Sequence, residues 1–119
     1  MRALLITTAG TITVVNSAEG QEPFAFARKQ IGAKLIEPLT LNEEGLELMC
    51  NEEGLLVAEP QINLIASYIA THTLGYCYQI VGDVLLARYI TDGDNGAYGD
   101  LTDEMITSFG IDLEALKSS

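Results

Sequence analysis

Short stretches of apolar residues separated by glycine and proline form the pattern of this chain, and the first two predict a β-hairpin. Residues 4–8 and 11–15 are rich in Leu, Ile, Val and Thr, and Ala9-Gly10 lies between them. β-Branched residues favour extended backbone, and glycine supplies the positive φ that a tight connection requires. Two strands joined by a turn are therefore expected at the start of the chain.

Two further stretches carry apolar residues at helical spacing. The first runs from Pro23, which suits the first position of a helix, to Gly32, which suits the position just past its end. The second covers residues 63–73 and ends before Gly75. Near the C terminus, Thr102 is expected to cap a short helix, and one last helical turn follows it.

The middle of the chain predicts a meander of three strands. Residues 34–41 include Pro38, which cannot donate to a ladder, so an edge strand is expected there. Two turns of the same sequence, Asn-Glu-Glu-Gly, follow at residues 42–45 and 51–54. Asparagine caps such a turn and glycine takes its left-handed position. The third strand of the meander would end near Val57.

Residues 79–90 predict the strongest strand of the chain, and Gly82-Asp83 within it indicates a bulge or a close approach of another backbone. Residues 91–100 are rich in glycine, aspartate and asparagine, and they predict a loop. Acidic residues in residues 92–103 have roughly the spacing of a calcium-binding loop. The position that requires glycine holds Ala97, however, and the position of the bidentate glutamate holds an aspartate. A surface loop is therefore favoured over a calcium site.

Together these elements predict one domain over residues 1–119 with an α+β fold. The expected architecture is a mainly antiparallel sheet of about five to six strands. Two main helices are expected on one face of the sheet, with a short C-terminal helix beside them.

Four short motifs resemble a known family. They read N-E-E-G-L-L at residues 51–56, P-Q-I-N at 60–63, I-V-G-D-V at 80–84 and L-T-D-E at 101–104. Over roughly residues 34–109 the chain resembles the domain-of-unknown-function family DUF3846, which is found in bacteriophages, plasmids and phage-like islands. The resemblance implies an accessory protein of a mobile element that acts in the cytoplasm of a bacterial host, and it implies no particular activity.

The net charge of −11 narrows the range of partners. A field of this sign repels phosphates, so direct binding of nucleic acid is not expected. No apolar run approaches the roughly 20 residues of a membrane-spanning helix, and a cytoplasmic protein with reduced, buried cysteines is predicted. The acidity either keeps the protein soluble, which is the favoured interpretation, or imitates a nucleic acid toward a basic partner.

No motif specifies a reaction. The glycines of residues 93–99 lack the lysine and hydroxyl residue of a phosphate-binding loop, and no serine lies in a nucleophile elbow. Cys50, Cys77 and His72 are too few for a zinc site, and a thiol without a neighbouring base is usually inert. The prediction is a protein without catalytic residues, metal or cofactor. An enzyme without a recognisable motif stays open as an alternative.

Binding of a small ligand is the favoured function. A protein that sequesters a nucleotide signal of bacterial defence needs a pocket, aromatic rings for stacking, and cations or amides for phosphate. A homo-oligomer would hold such a ligand between its subunits. The alternative function is an acidic inhibitor of a basic host protein. For each tyrosine, a half-buried core position is the competing interpretation. The candidate ligand-binding residues are Arg28, Lys34, Asn51, Asn63, Tyr68, Tyr76, Tyr78 and Arg88.

Overall fold

The computed structural model describes residues 1–56 and 59–118, and in these residues six strands form one antiparallel sheet. The strand order is β2-β1-β5-β4-β3, and β6 pairs with β5. This sheet with its helices confirms the predicted α+β fold. The strands are β1 (Arg2–Ile6), β2 (Ile12–Asn16), β3 (Ile36–Thr40), β4 (Leu46–Asn51), β5 (Val84–Asp92) and β6 (Asn95–Gly99).

Helices cover both faces of the sheet. Helix α1 packs Phe26 and Ala27 against one face, and helix α2 packs Ala66 and Ile69 against the other. The short helices α3 and α4 lie on the α2 face, where Ile106 joins the same core. The expected placement of both main helices on one face is therefore wrong. The helices are α1 (Pro23–Ile31), α2 (Leu64–Leu74), α3 (Asp103–Thr107) and α4 (Leu113–Ser118).

Strand β5 explains why both faces need a helix. Its residues Val84, Leu85, Leu86 and Ala87 are all fully buried. Because consecutive residues of a strand point to opposite faces, an unbroken apolar run exposes both faces unless each is covered. Val84 and Leu86 pack on the α2 side, whereas Leu85 and Ala87 pack on the α1 side.

The start and end signals of the helices are confirmed. Helix α1 begins at Pro23 after Glu22, whose carboxylate accepts the first free backbone N–H groups, and it ends at Gly32 with a φ of 67°. Helix α2 begins after Asn63 and ends at Gly75 with a φ of 80°. Among the described residues, no helix combines the length and the hydropathy needed to cross a bilayer.

The predicted meander stops after two strands. After the turn at residues 51–54 the chain forms a single 3-10 turn, Gly54–Leu56, so the return strand is wrong there. Val57, where that strand was expected to end, lies outside the described residues. Leu55 and Leu56 are 75% and 79% exposed, so these leucines are surface residues and not a strand of the core.

The second half of the chain differs from its prediction at both ends of β5. The strand begins at Val84, and residues 79–83 make only an isolated bridge through Val81. Residues 91–100 are not a loop, because they complete β5 and form β6. Gly93 has a φ of 61° and Asp94 a negative φ, as in a type II′ hairpin turn.

Candidate functional site

A pocket with a volume of about 730 Å³ lies on the α2 side of the sheet. Four separate parts of the chain meet there: the β3–β4 turn, the end of α2, the middle of β5 and helix α3. The size is that of an ordinary small-molecule site. The lining residues are Asn42, Glu44, Leu46, His72, Thr73, Arg88, Thr102, Glu104, Met105, Ser108 and Phe109.

Arg88 is the cation of this pocket. It lies on β5 between Leu46 of β4 and Gly99 of β6, so the sheet fixes its backbone on both sides. Its Nε atom is buried and has no hydrogen-bond partner. Among the described residues, every other buried side-chain N or O atom has a partner. A buried donor without an acceptor costs about 1–3 kcal/mol. Arg88 as a whole is only partly buried, so its side chain, unlike that of Asn63, remains in reach of a molecule in the pocket.

No carboxylate within the described part of the chain neutralises Arg88. The ion pairs found there join Arg2 to Asp103 at 2.8 Å and Arg28 to Glu22 at 4.0 Å. Glu44 and Glu104 line the same pocket as Arg88 without reaching ion-pair distance of its guanidinium. The pocket thus offers one cation and two separate carboxylates as independent binding groups.

Arg88 also lines an adjoining pocket with a volume of about 590 Å³. Asn42, Glu44 and Arg88 belong to the walls of both pockets, so the two pockets adjoin at these residues. The second pocket adds two further carboxylates, Glu43 of the β3–β4 turn and Glu47 of β4. An elongated molecule with a central anionic group would therefore extend into both pockets.

The β3–β4 turn that forms this shared wall is held by its own sequence. The Oδ1 atom of Asn42 accepts the backbone N–H of Glu44 at 3.0 Å and that of Leu46 at 3.1 Å. Gly45 closes the turn with a φ of 91°, and its carbonyl accepts the backbone N–H of Tyr89 at 2.7 Å. These bonds fix the position of Glu44 relative to β5.

Helix α3 supplies the opposite, more apolar wall. The hydroxyl of Thr102 accepts the backbone N–H of Met105 at 3.1 Å and so caps the helix, as predicted. Met105 and Phe109 are partly buried against the core and face the pocket. Their side chains provide the apolar contact area on which a ring of a ligand would pack.

The other predicted ligand-binding residues are not gathered at this pocket. Asn51 and Tyr78 line a separate pocket with a volume of about 140 Å³, and Asn51 and Lys34 line another of about 210 Å³. Arg28 is exposed on α1 beside Glu22. Of the eight candidates, only Arg88 lines the two large pockets.

Asn63 has a structural position, and two of the tyrosines lie on the surface. The Oδ1 atom of Asn63 caps α2, and its Nδ2 donates to the carbonyl oxygens of Ile6 and Gly82 at 3.0 and 2.9 Å. The side chain is fully buried, so a ligand would reach it only if the fold opened. Tyr68 and Tyr76 are 60% and 59% exposed and are not part of the walls of the two large pockets.

The sequence pattern missed most of the Arg88 pocket. Glu44, Glu104, Met105 and Phe109 come from segments that are far apart in the chain, and each has an ordinary local explanation. The one available signal was Arg88 itself, a lone cation at the end of an apolar strand. A charged residue in such a place is rarely buried without a partner.

The cysteines and the histidine do not form a reactive group. Burial, with a contribution from Glu37, raises the pKa of the Cys50 thiol to about 12, so the thiolate is scarce at neutral pH. Cys50 and His72 line different pockets. Cys77 is exposed, so its predicted burial is wrong. Among the described residues, no group of three or more His, Cys, Asp or Glu side chains is arranged to hold a metal ion.

These features define a small α+β protein with an arginine-centred pocket between its sheet, the end of α2 and helix α3. Residues 1–114 match the family described as "Domain of unknown function (DUF3846)", and the chain belongs to this family. The match includes the β1–β2 hairpin and α1, which precede the region of the resemblance found in the sequence. No curated protein and no solved structure is significantly similar to the chain.

Proposed function

We propose that this protein binds a small molecule with an anionic group at the Arg88 pocket and holds it without chemical conversion. The observation that carries the proposal is the buried, unpartnered Nε of Arg88, at the junction of two pockets of about 730 and 590 Å³. Arginine is well suited to such a role because its planar guanidinium donates two parallel hydrogen bonds to one phosphate or carboxylate.

The remaining walls favour a ligand that is more than an anion. The net charge of −11 repels a simple anion at long range, so hydrogen bonds and apolar contact must add to the attraction of Arg88. Glu44 and Glu104 accept hydrogen bonds from hydroxyl or amino groups, and Phe109 offers an apolar surface. A nucleotide combines a phosphate, ribose hydroxyls and a flat base, and it is the ligand class that matches these three kinds of group.

The proposed biological role is sequestration. A protein of a bacteriophage or plasmid that captures a nucleotide signal of its host would silence the response by occupancy alone. The inert state of the Cys50 thiol is in keeping with a role that needs no nucleophile. Such a protein acts stoichiometrically in the bacterial cytoplasm, so slow release of the ligand matters more than speed of capture.

Calorimetry with a panel of cyclic dinucleotides and ADP-ribose derivatives tests this function. Native mass spectrometry of the protein purified from its host adds any ligand that it retains. The key variant is Arg88→Met, which keeps an unbranched apolar stem like that of arginine but removes the guanidinium and its donors. We expect it to weaken binding by about thirtyfold or more, since truncating one partner of a buried charged pair typically costs 2–5 kcal/mol.

Arg28→Met is the matched control, because Arg28 is exposed on α1 and distant from the pocket in sequence and fold. Its ligand affinity should equal that of the wild type. Equal loss in both variants, or full binding by Arg88→Met, would place the ligand elsewhere. Absence of any bound or retained small molecule would remove the proposal. Accumulation of product over many turnovers would favour the enzyme alternative.

A further inference from the structure

The chain around helix α2 contains no charged residue. Between Glu59 and Asp83 there is no Asp, Glu, Lys or Arg, although these four types make up 19% of the sequence. This uncharged segment includes the whole of α2 and residues 75–81, which follow it. Helix α2 thus belongs to an uncharged segment of an otherwise strongly acidic chain.

The outward side of α2 is apolar as well as uncharged. Leu64, Tyr68 and His72 follow one another at intervals of four residues, so they share one side of the helix. Leu64 is 77% and Tyr68 60% exposed, and the ring of Tyr68 stacks on that of His72 at a centroid distance of 5.8 Å. The inward side is occupied by Ala66 and Ile69. Helix α2 thus has apolar residues on its outward as well as its inward side. A helix whose outward side only faces water usually carries polar residues there.

Residues 75–81 extend this surface. The hydroxyl of Thr71 donates to the carbonyl of Tyr78 and accepts its N–H, at 3.2 and 3.0 Å. The hydroxyl of Ser67 makes the same pair of bonds with Ile80, so the segment is fastened along α2. Tyr76, in this segment, is 59% exposed. We call Ile62, Leu64, Tyr68, His72 and Tyr76 the α2 surface.

We propose that the α2 surface is the site where two copies of this chain associate. Each copy carries a net charge of −11, so two copies repel wherever their acidic surfaces approach. In a two-fold symmetric dimer the same surface of both copies meets. The α2 surface carries no charged residue, so it can meet itself without placing like charges opposite each other.

The charge distribution also disfavours a basic protein or a lipid membrane as the partner of the α2 surface. A basic protein would gain more from the acidic surfaces than from a neutral one. Anionic lipid repels a protein of this charge, and helices that lie on membranes usually carry Lys or Arg on their polar side. The exposed Tyr68 and Tyr76 are residues of the type that dominates the binding energy of protein interfaces. The α2 surface does not include Arg88, but it shares His72 with the wall of the Arg88 pocket, so the dimer is tested at Leu64 and Tyr68, which line neither large pocket.

Sedimentation velocity over a wide range of protein concentration tests the proposal with the variant Leu64→Glu. Leu64 is the first residue of α2 after the Asn63 cap, where an acidic side chain suits the helix dipole, so the fold should be kept. The change places two like charges in the symmetric interface. We expect at least a tenfold weaker dimer, with an unchanged circular dichroism spectrum. Tyr68→Glu should weaken the dimer in the same way.

Leu35→Glu is the matched control, because Leu35 is also an exposed leucine, at 51%, but it precedes β3 and lies outside the α2 surface. It should dimerise like the wild type. Added NaCl should strengthen the dimer by screening the repulsion between copies, whereas it would weaken binding to a basic protein. A wild type that is monomeric at every concentration overturns the proposal. An equal effect of Leu35→Glu and Leu64→Glu overturns it as well.

Discussion

Cys50 and Tyr98 keep their protons to higher pH than usual because of where the fold places them. Burial raises the pKa of Cys50 to about 12 from an ordinary value of 9.0. Burial also raises the pKa of Tyr98, and the hydrogen bond that its hydroxyl donates to Glu47 at 2.6 Å acts in the same direction. Both groups ionise at lower pH in the unfolded chain, so both couple folding to pH.

The sign of this coupling leads to a prediction for Cys50. A raised pKa in the folded state means that the contribution to stability is complete below about pH 9 and is lost as the pH rises toward 12. The free energy of unfolding should therefore fall through this range, by at most about 1.4 kcal/mol per pH unit for one group. Cys50→Ala should show a shallower fall, as measured by urea unfolding at a series of pH values under reducing conditions.

Cys77→Ala is the control for this experiment, since Cys77 is exposed. Its stability should decline with pH as steeply as that of the wild type. Tyr98 contributes to all three proteins alike, so the difference between the variants isolates Cys50. A decline in Cys50→Ala as steep as in the wild type would contradict the assignment.

Local chemistry alone did not determine the role of single residues. Asn63 has the donors and acceptor that suit a ligand, and in the structure the helix cap and two carbonyl groups engage them. Arg88 carries the same charge as Arg28 and Lys34, yet only Arg88 has a buried, unpartnered donor. Burial depends on what the rest of the chain places over a residue, and this information is not local in the sequence.

At the scale of elements, the two Asn-Glu-Glu-Gly turns have the same sequence but lead into different backbone structures. In each turn the asparagine Oδ1 accepts the backbone N–H two residues later. Gly45 then takes a φ of 91° and leads into β4, whereas Gly54 has no positive φ and begins a 3-10 turn. At Gly45 a Cβ would overlap the carbonyl oxygen of Tyr89, while at Gly54 it would lie 3.6 Å from that of Val81.

This difference predicts that glycine-to-alanine substitutions at the two positions change stability by different amounts. Gly45→Ala should destabilise the protein by more than about 2 kcal/mol, because the left-handed backbone alone costs an L-residue roughly 1–2 kcal/mol and the overlap with Tyr89 adds to it. Gly54→Ala, the matched control, should change stability by less than about 1 kcal/mol. Urea unfolding compares the two free energies. Similar losses in both variants would contradict the contact at Gly45.

The same contrast explains which elements the sequence predicted. Pro23 at the start of α1, the glycines that end α1 and α2, and the β1–β2 hairpin act within single elements, and all of these were predicted. The N-caps Glu22 and Asn63 were not. Strand β6 was missed because residues 95–97 are exposed and carry no alternation between buried and exposed sides. The predicted return strand and the predicted placement of α1 were wrong for a related reason. The whole sheet decides which elements become neighbours. The Arg88 pocket depends on four such neighbours, so only its arginine was foreseen.

At the scale of the whole molecule, the charge of this protein is poorly compensated. The sequence has 17 acidic and 6 basic residues, and Arg88 is among the few cations. In the described part of the chain, Arg2 pairs with Asp103 and Arg28 with Glu22, the latter at the limiting distance of 4.0 Å. Exposed pairs of this kind contribute little. The folded state therefore carries a net repulsion that the more expanded unfolded chain relaxes.

Added salt should accordingly stabilise the folded protein. Screening shortens the reach of the repulsion from about 30 Å at 0.01 M to about 8 Å at physiological ionic strength, so the urea midpoint should rise over this range of NaCl. The measurement belongs on the Leu64→Glu variant, in which the proposed dimer is weakened and association adds least to stability.

Neutralising the exposed hairpin acids with Asp92→Asn and Asp94→Asn should raise the midpoint at low salt and reduce its dependence on salt. A midpoint that falls with NaCl would mean that favourable ion pairs outweigh the repulsion. Attractive pairs of opposite charge would then contribute more to the stability of the fold than the repulsion within its net charge of −11 removes.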